Sequence, residues 1–105
     1  MPNVKYDEGL QARRRVLGDE YVDRALTGLD SFNAEFQQLV TDYCWGQVWT
    51  RPTLSDRQRS LINLAMISAL NRSHEFKVHV RGAMRNGCTV EEIRDTLMQV
   101  AIYCG

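Results

Sequence analysis

Ser55-Asp56-Arg57-Gln58-Arg59-Ser60-Leu61-Ile62-Asn63-Leu64-Ala65-Met66-Ile67-Ser68-Ala69-Leu70 decides the fold. Ser55 and Gln58, three residues apart, form a capping box, in which the serine side chain takes the backbone N–H of the third helical residue and the glutamine reaches back to the cap. Behind this start, Leu61, Ile62, Leu64, Ala65, Met66, Ile67, Ala69 and Leu70 leave almost no polar side. The expectation is a helix at the centre of an all-α domain. Asn63 and Ser68 interrupt the run, and in that setting they need hydrogen-bond partners or mark a site or a subunit contact.

Helical spacing continues in both directions. Asp7 to Val16 and Asp19 to Leu29 read as two short amphipathic helices broken near Gly18. Ser31 to about Trp45 carries Phe32, Phe36, Leu39, Val40 and Tyr43 as a stripe expected in the core. A break is expected from Gly46 to Thr53, where Arg51-Pro52 disfavours helix at Arg51. Downstream, a helix from about Ser73 stops at Asn86-Gly87. Thr89 and Glu92 form a second capping box for a helix that runs through Ile93, Leu97, Val100 and Ala101 toward Cys104. No segment alternates with period two for long enough to be a strand. Five to six helices in a single domain over 1–105 is the reading.

Composition narrows the function classes. A chain of 105 residues leaves much of its surface exposed unless it self-associates, so an oligomer is expected. Thirteen basic residues balance thirteen acidic ones, which lacks the positive excess of a nucleic-acid binder; Arg13-Arg14-Arg15 reads as a solvated helix face. Cys44, Cys88 and Cys104 are odd in number and widely spaced, so neither a disulfide framework nor a dithiol centre is indicated. Met1 to Leu10 has no apolar signal core and no run approaches membrane-spanning length. A cytoplasmic, reducing location is the expectation.

Chemistry concentrates in Asn71-Arg72-Ser73-His74-Glu75-Phe76-Lys77-Val78-His79, which holds both histidines of the chain. At about 100° per residue, Arg72, Glu75 and His79 share one helix face. The alternative is a set of ordinary surface charges making helix pairs. His74-Glu75 with His79 resembles a zinc-protease motif only superficially, because that motif needs histidines four apart. Five residues leave the imidazoles roughly 140° out of register, so no metal is expected there. The position near a helix N-terminus favours a carboxylated ligand.

Tyr43-Cys44-Trp45-Gly46-Gln47-Val48-Trp49-Thr50-Arg51-Pro52, Ser60 to Met66 and Ala69 to Ala83 resemble the decarboxylase branch of the carboxymuconolactone decarboxylase family. The likeness covers about Arg15 to the end. It implies an AhpD-like helical fold and a ring-shaped homo-oligomer, a hexamer. The peroxidase branch of the same superfamily uses Cys-x-x-Cys-x-x-x-His with a glutamate twelve residues before the first cysteine. With His79 on that histidine, Arg72 and Glu75 replace the cysteines and Ser60 replaces the glutamate, so thiol peroxidase activity is disfavoured. The resemblance implies that family members continue past the Tyr-Cys-Gly element with a proline and a further helix, so this chain, ending at Gly105, is either naturally short or lacks a short C-terminal segment.

The resemblance implies loss of carbon dioxide from 4-carboxymuconolactone to give the β-ketoadipate enol-lactone, in protocatechuate catabolism, with no cofactor. The substrate's own conjugated lactone carbonyl takes the electrons, and the protein supplies orientation, an oxyanion donor and a proton. His79 is then the proton donor, oriented or tuned by Glu75, and Arg72 clamps a carboxylate. His74 lies off that face and is either a rim donor to the lactone oxygen or a surface histidine. Arg51 and Arg81 are candidates for the second carboxylate, and Trp45 and Trp49 either wall the pocket or pack the core. The alternatives are a lyase or isomerase acting on another small carboxylated lactone, and a non-catalytic oligomer that binds a small acid.

Overall fold

The structure is a computed structural model that describes residues 4–105. Residues 1–3, part of the polar stretch read for a targeting signal, lie outside the described residues. Among those described there are six α-helices, one π-helical segment and no strand, so the chain is all-helical. It divides into two compact units, the first ending at Thr53 and the second running from Leu54 to Gly105.

The first unit contains α1 (Val4–Leu17), α2 (Asp19–Thr27), α3 (Ala34–Val40) and the π-helical segment Thr41–Val48 that continues α3. Gly9, Ala12, Arg13 and Val16, at spacings of three and four, form the buried face of α1. α1 packs chiefly on the π segment. The approach is close because both sides carry glycine: a Cβ on Gly9 would run into the Thr41 carbonyl, and one on Gly46 into that of Lys5. Ala12, Val16, Trp45 and Trp49 form the core, flanked by Leu17, Val40 and Cys44. The two indoles stack with centroids 4.9 Å apart at 25°, a contact worth about 0.5–1.5 kcal/mol beyond burial.

Three expectations are corrected in this unit. The stripe predicted to be core is outside: Phe32 is 93% exposed, and Phe36, Leu39 and Tyr43 are exposed too. Two apolar faces compete along this helix, and the one carrying Val40, Thr41, Trp45 and Trp49 turns inward because only it matches the glycine-lined α1. The break predicted at Gly46 comes later, since helical geometry persists to Val48, while Arg51 is non-helical as its Arg-Pro position requires. Arg13 is buried rather than solvated, whereas Arg14 pairs with Asp19 at 3.2 Å and Asp23 at 2.8 Å and Arg15 is exposed. Three consecutive residues span most of a helical turn, so a run of three cannot share one solvated face.

The second unit contains α4 (Asp56–Ala69), α5 (Ser73–Arg85) and α6 (Val90–Cys104). Both capping boxes form, Ser55 with Gln58 and Thr89 with Glu92. α4 packs on α5 and α6 through a core of Leu64, Ala83 and Cys88, with Leu61, Phe76, Val80 and Ile93 against it. Arg57 pairs with Glu92, joining the starts of α4 and α6. α4 is central in connectivity yet only one stripe of it, Ser60, Leu64 and Ile67, is buried. Ile62, Met66 and Leu70 are exposed, because two neighbouring helices cannot cover a helix that is apolar all round. Of the two polar interruptions, Ser68 is bonded within the helix and Asn63 is partly open to solvent. Ser68 donates to the Ala65 carbonyl at 3.1 Å, and buried Ser60 accepts from Asn86 Nδ2 at 3.0 Å.

Candidate active site

Arg72, Glu75 and His79 are positioned by the turn between α4 and α5. α4 ends in a Schellman motif: Arg72 N–H donates to the Ile67 carbonyl and Asn71 N–H to that of Ser68, both at 3.1 Å. Asn71 takes the left-handed conformation this requires, with φ 59°, a region asparagine tolerates better than most side chains. Arg72 then serves directly as the N-cap residue of α5, so only Leu70, Asn71 and Arg72 separate the two helices. α5 ends in a second Schellman motif, with Gly87 at φ 92° and Cys88 N–H donating to the Ala83 carbonyl at 2.9 Å.

From that start Glu75 is in the first turn of α5 and its carboxylate lies 3.6 Å from the Arg72 guanidinium, both side chains largely exposed. Such a surface pair contributes little stability, about 0–1 kcal/mol. Its value is to hold two charges beside a third group. His79, one turn beyond Glu75, borders the packed stripe of Phe76, Val80 and Ala83 and is half-buried. Burial pushes the imidazole below its ordinary pKa, and the Glu75 carboxylate pulls it partly back. The arrangement is therefore a half-buried imidazole whose charge is set by burial and by a carboxylate one turn away, which is itself paired with an arginine.

The remaining candidates are on another side of α5 or in the first unit. His74 and Arg81 are exposed and, seven residues apart, share a side of α5 roughly 140–160° round from His79. Arg51 is exposed in the first unit. Trp45 and Trp49 are each 4% exposed and spend their surfaces on Ala12 and Val16 in the core of that unit. Asn71 was passed over in the sequence reading although it sets the entry angle of the site helix. Its signal was an asparagine directly after the last residue of an apolar helical run. Among the described residues no group of three or more His, Cys, Asp or Glu could hold a metal ion. The three thiols are free, and no helix among the described residues is long and apolar enough to cross a membrane.

An all-helical chain whose half-buried histidine lies one turn from an acid that is itself paired with an arginine, and whose three thiols are free, defines the class. The carboxymuconolactone decarboxylase family model matches residues 34–105, and the chain belongs to that family. A 4-carboxymuconolactone decarboxylase of Acinetobacter baylyi is 38% identical, over 96% of this chain and 75% of its own length. A nitrosuccinic acid decarboxylase of Metarhizium robertsii is 44% identical, over 95% of this chain and 70% of its own length. A 4-carboxymuconolactone decarboxylase sequence of Pseudomonas putida is 52% identical over 42 residues, which is 40% of this chain and 88% of that sequence.

Proposed function

We propose that this protein is a cofactor-independent carboxy-lyase that converts 4-carboxymuconolactone to the β-ketoadipate enol-lactone. The observation that carries the reading is the half-buried His79 one turn from Glu75, which pairs with Arg72, on a chain matched over nearly its whole length by relatives named decarboxylases.

In the proposed reaction Arg72 holds a substrate carboxylate, and the scissile carbon–carbon bond breaks with departure of carbon dioxide. The bonding pair flows through the ring double bond into the lactone carbonyl as a dienolate. His79 then delivers a proton to the ring carbon that gathers the charge and recovers one from solvent. In the free protein burial favours the neutral imidazole. A dianionic substrate beside it adds to the field of Glu75 and favours the protonated, donating form. His74, Arg81 and Arg51 remain candidates for the lactone oxygen and the second carboxylate. Trp45 and Trp49 serve this proposal as support for the first unit.

A second substrate reading is favoured by the Metarhizium relative, which is named for nitrosuccinic acid. Both acids carry a second carboxylate and an internal electron sink, a lactone carbonyl in one and a nitro group in the other, so the same donor and clamp serve either. The test is to follow carbon dioxide release from freshly generated 4-carboxymuconolactone and from 2-nitrosuccinate, each corrected for spontaneous decay. Acceleration of the lactone alone supports the first reading and of the nitro acid alone the second. No acceleration of either by folded protein removes the decarboxylase assignment.

A homo-oligomer, a hexameric ring by family resemblance, is part of the proposal. The support is the apolar surface of Phe32, Phe36, Leu39 and Tyr43 and an open apolar groove of about 640 Å³ between α4 and α6, which an isolated chain leaves in water. Sedimentation at micromolar concentration tests it. A cytoplasmic location fits the three free thiols.

A further inference from the structure

Arg13 is a buried charge with no ion-pair partner among the described residues. The residue is 7% exposed. Its Nη1 donates to Gln37 Oε1 at 3.3 Å, its Nε has no partner, and among the described residues no carboxylate forms an ion pair with it. The ionisable group whose charge it would influence is Cys44, and burial pushes that thiol up, so it stays neutral near pH 7 and supplies no counter-charge. A guanidinium does not discharge in proteins. An uncompensated buried cation is unfavourable, and an anion that reaches its neighbourhood is correspondingly favoured.

Gln37 connects this charge to a cavity. A pocket of about 300 Å³ within the first unit is lined by Tyr6, Leu26, Leu29, Ala34, Gln37 and Thr41, with exposed Gln38 at its edge. The amide orientation of Gln37 follows from its bond to Arg13. The carbonyl oxygen is taken by the guanidinium, which leaves the NH₂ as the group free to donate to an occupant. Leu26, Leu29 and Ala34 supply apolar wall. A donor backed by a permanent cation, beside aliphatic surface in a small cavity, matches an acceptor-only head group on a short apolar body.

We propose that this cavity binds a small aliphatic monocarboxylate, one oxygen accepting from Gln37 Nε2 while its charge compensates Arg13. The site is built entirely from the first unit, whereas Arg72, Glu75 and His79 belong to the second. The inference does not rest on the decarboxylase reading.

The experiment is titration of the full chain with 2-methylpropanoate against its neutral analogue 2-methylpropanamide, followed by calorimetry and by thermal shift, at constant ionic strength in chloride. The acid is expected to bind saturably and the amide at least tenfold more weakly. Arg13→Met removes the cation, and Gln37→Glu places a carboxylate against it from within the chain. Each is expected to weaken the acid at least tenfold, while His79→Gln leaves it unchanged. Gln37 is only partly buried, so Gln37→Glu decides the matter should Arg13→Met not fold. Absence of saturable binding to the unsubstituted protein overturns the proposal. So does equal affinity for acid and amide, undiminished binding in Gln37→Glu, or loss of binding in His79→Gln.

Discussion

Two ionisable side chains face the packed side of a helix, Arg13 on α1 and His79 on α5, and burial acts on them differently. His79 relaxes by shedding its proton, which leaves an imidazole whose charge a neighbouring carboxylate or an incoming anion can restore. Arg13 has no such exit. Its guanidinium stays charged with a single hydrogen bond to Gln37 and stands to gain from any anion that comes near. Partial burial thus produces a group with a tunable proton in one unit and a fixed charge awaiting compensation in the other.

The sharpest way to break this comparison is to remove the tunable group. His79→Gln is expected to lower turnover of the accepted substrate by roughly 10²-fold or more, the usual contribution of a positioned proton donor, with the helical circular dichroism unchanged. Turnover within a few-fold of the unsubstituted protein would take His79 out of the mechanism.

Arg13 makes the complementary prediction, on stability. Arg13→Ala leaves a void on the buried face of α1 and is expected to cost about 2 kcal/mol or more in urea unfolding. Arg13→Met keeps the side-chain volume and removes the charge, so it is expected to be neutral or stabilising. Equal destabilisation by both would show that the cation is already compensated in the folded protein.

The turn that carries the cluster contributes next. Asn71→Val puts a β-branched residue at positive φ and should cost about 1–2 kcal/mol, whereas Asn71→Gly should be nearly neutral. A melt in which the two variants behave alike would mean that the left-handed turn is not maintained in solution.

The smallest expected effect is the most diagnostic for His79. Burial holds its folded-state pKa below the unfolded value of about 6.5. Acidification through that value therefore protonates the unfolded chain first and erodes stability until the folded-state pKa is passed. His79→Gln should flatten this loss of melting temperature on the acid side. Glu75→Gln removes the effect that raises the imidazole, so the decline of kcat/KM with rising pH should move to lower pH. An unmoved profile would exclude Glu75 as a tuning group.

Much of the site was legible because it is local. Glu75 and His79 are related by helical angle alone, Arg72 is the residue that caps their helix, and both capping boxes and the Asn86-Gly87 stop depend on residues within four or five positions of one another. The illegible part is non-local. Phe32, Phe36, Leu39 and Tyr43 follow the spacing of a core stripe as faithfully as the residues that are in fact buried. A period gives the angle between side chains and says nothing about which angle meets a neighbour. Arg13 misled for a related reason, since a run of three arginines suggests solvent until Gly9, Ala12 and Val16 are seen to carry it inward.

The amino-acid sequence by itself determined the helical class, the ends of the helices in the second unit and the side chains that share a face of α5, because each follows from hydrogen bonds and torsions within one or two turns. Only the tertiary structure decided that Trp45 and Trp49 are core while Phe32 is bare, that His79 is half out of water, and that Arg13 is enclosed with no ion pair among the described residues. Those outcomes depend on which surfaces of separate helices come close enough to exclude water, and at Gly9 and Gly46 that closeness exists because neither residue has a Cβ.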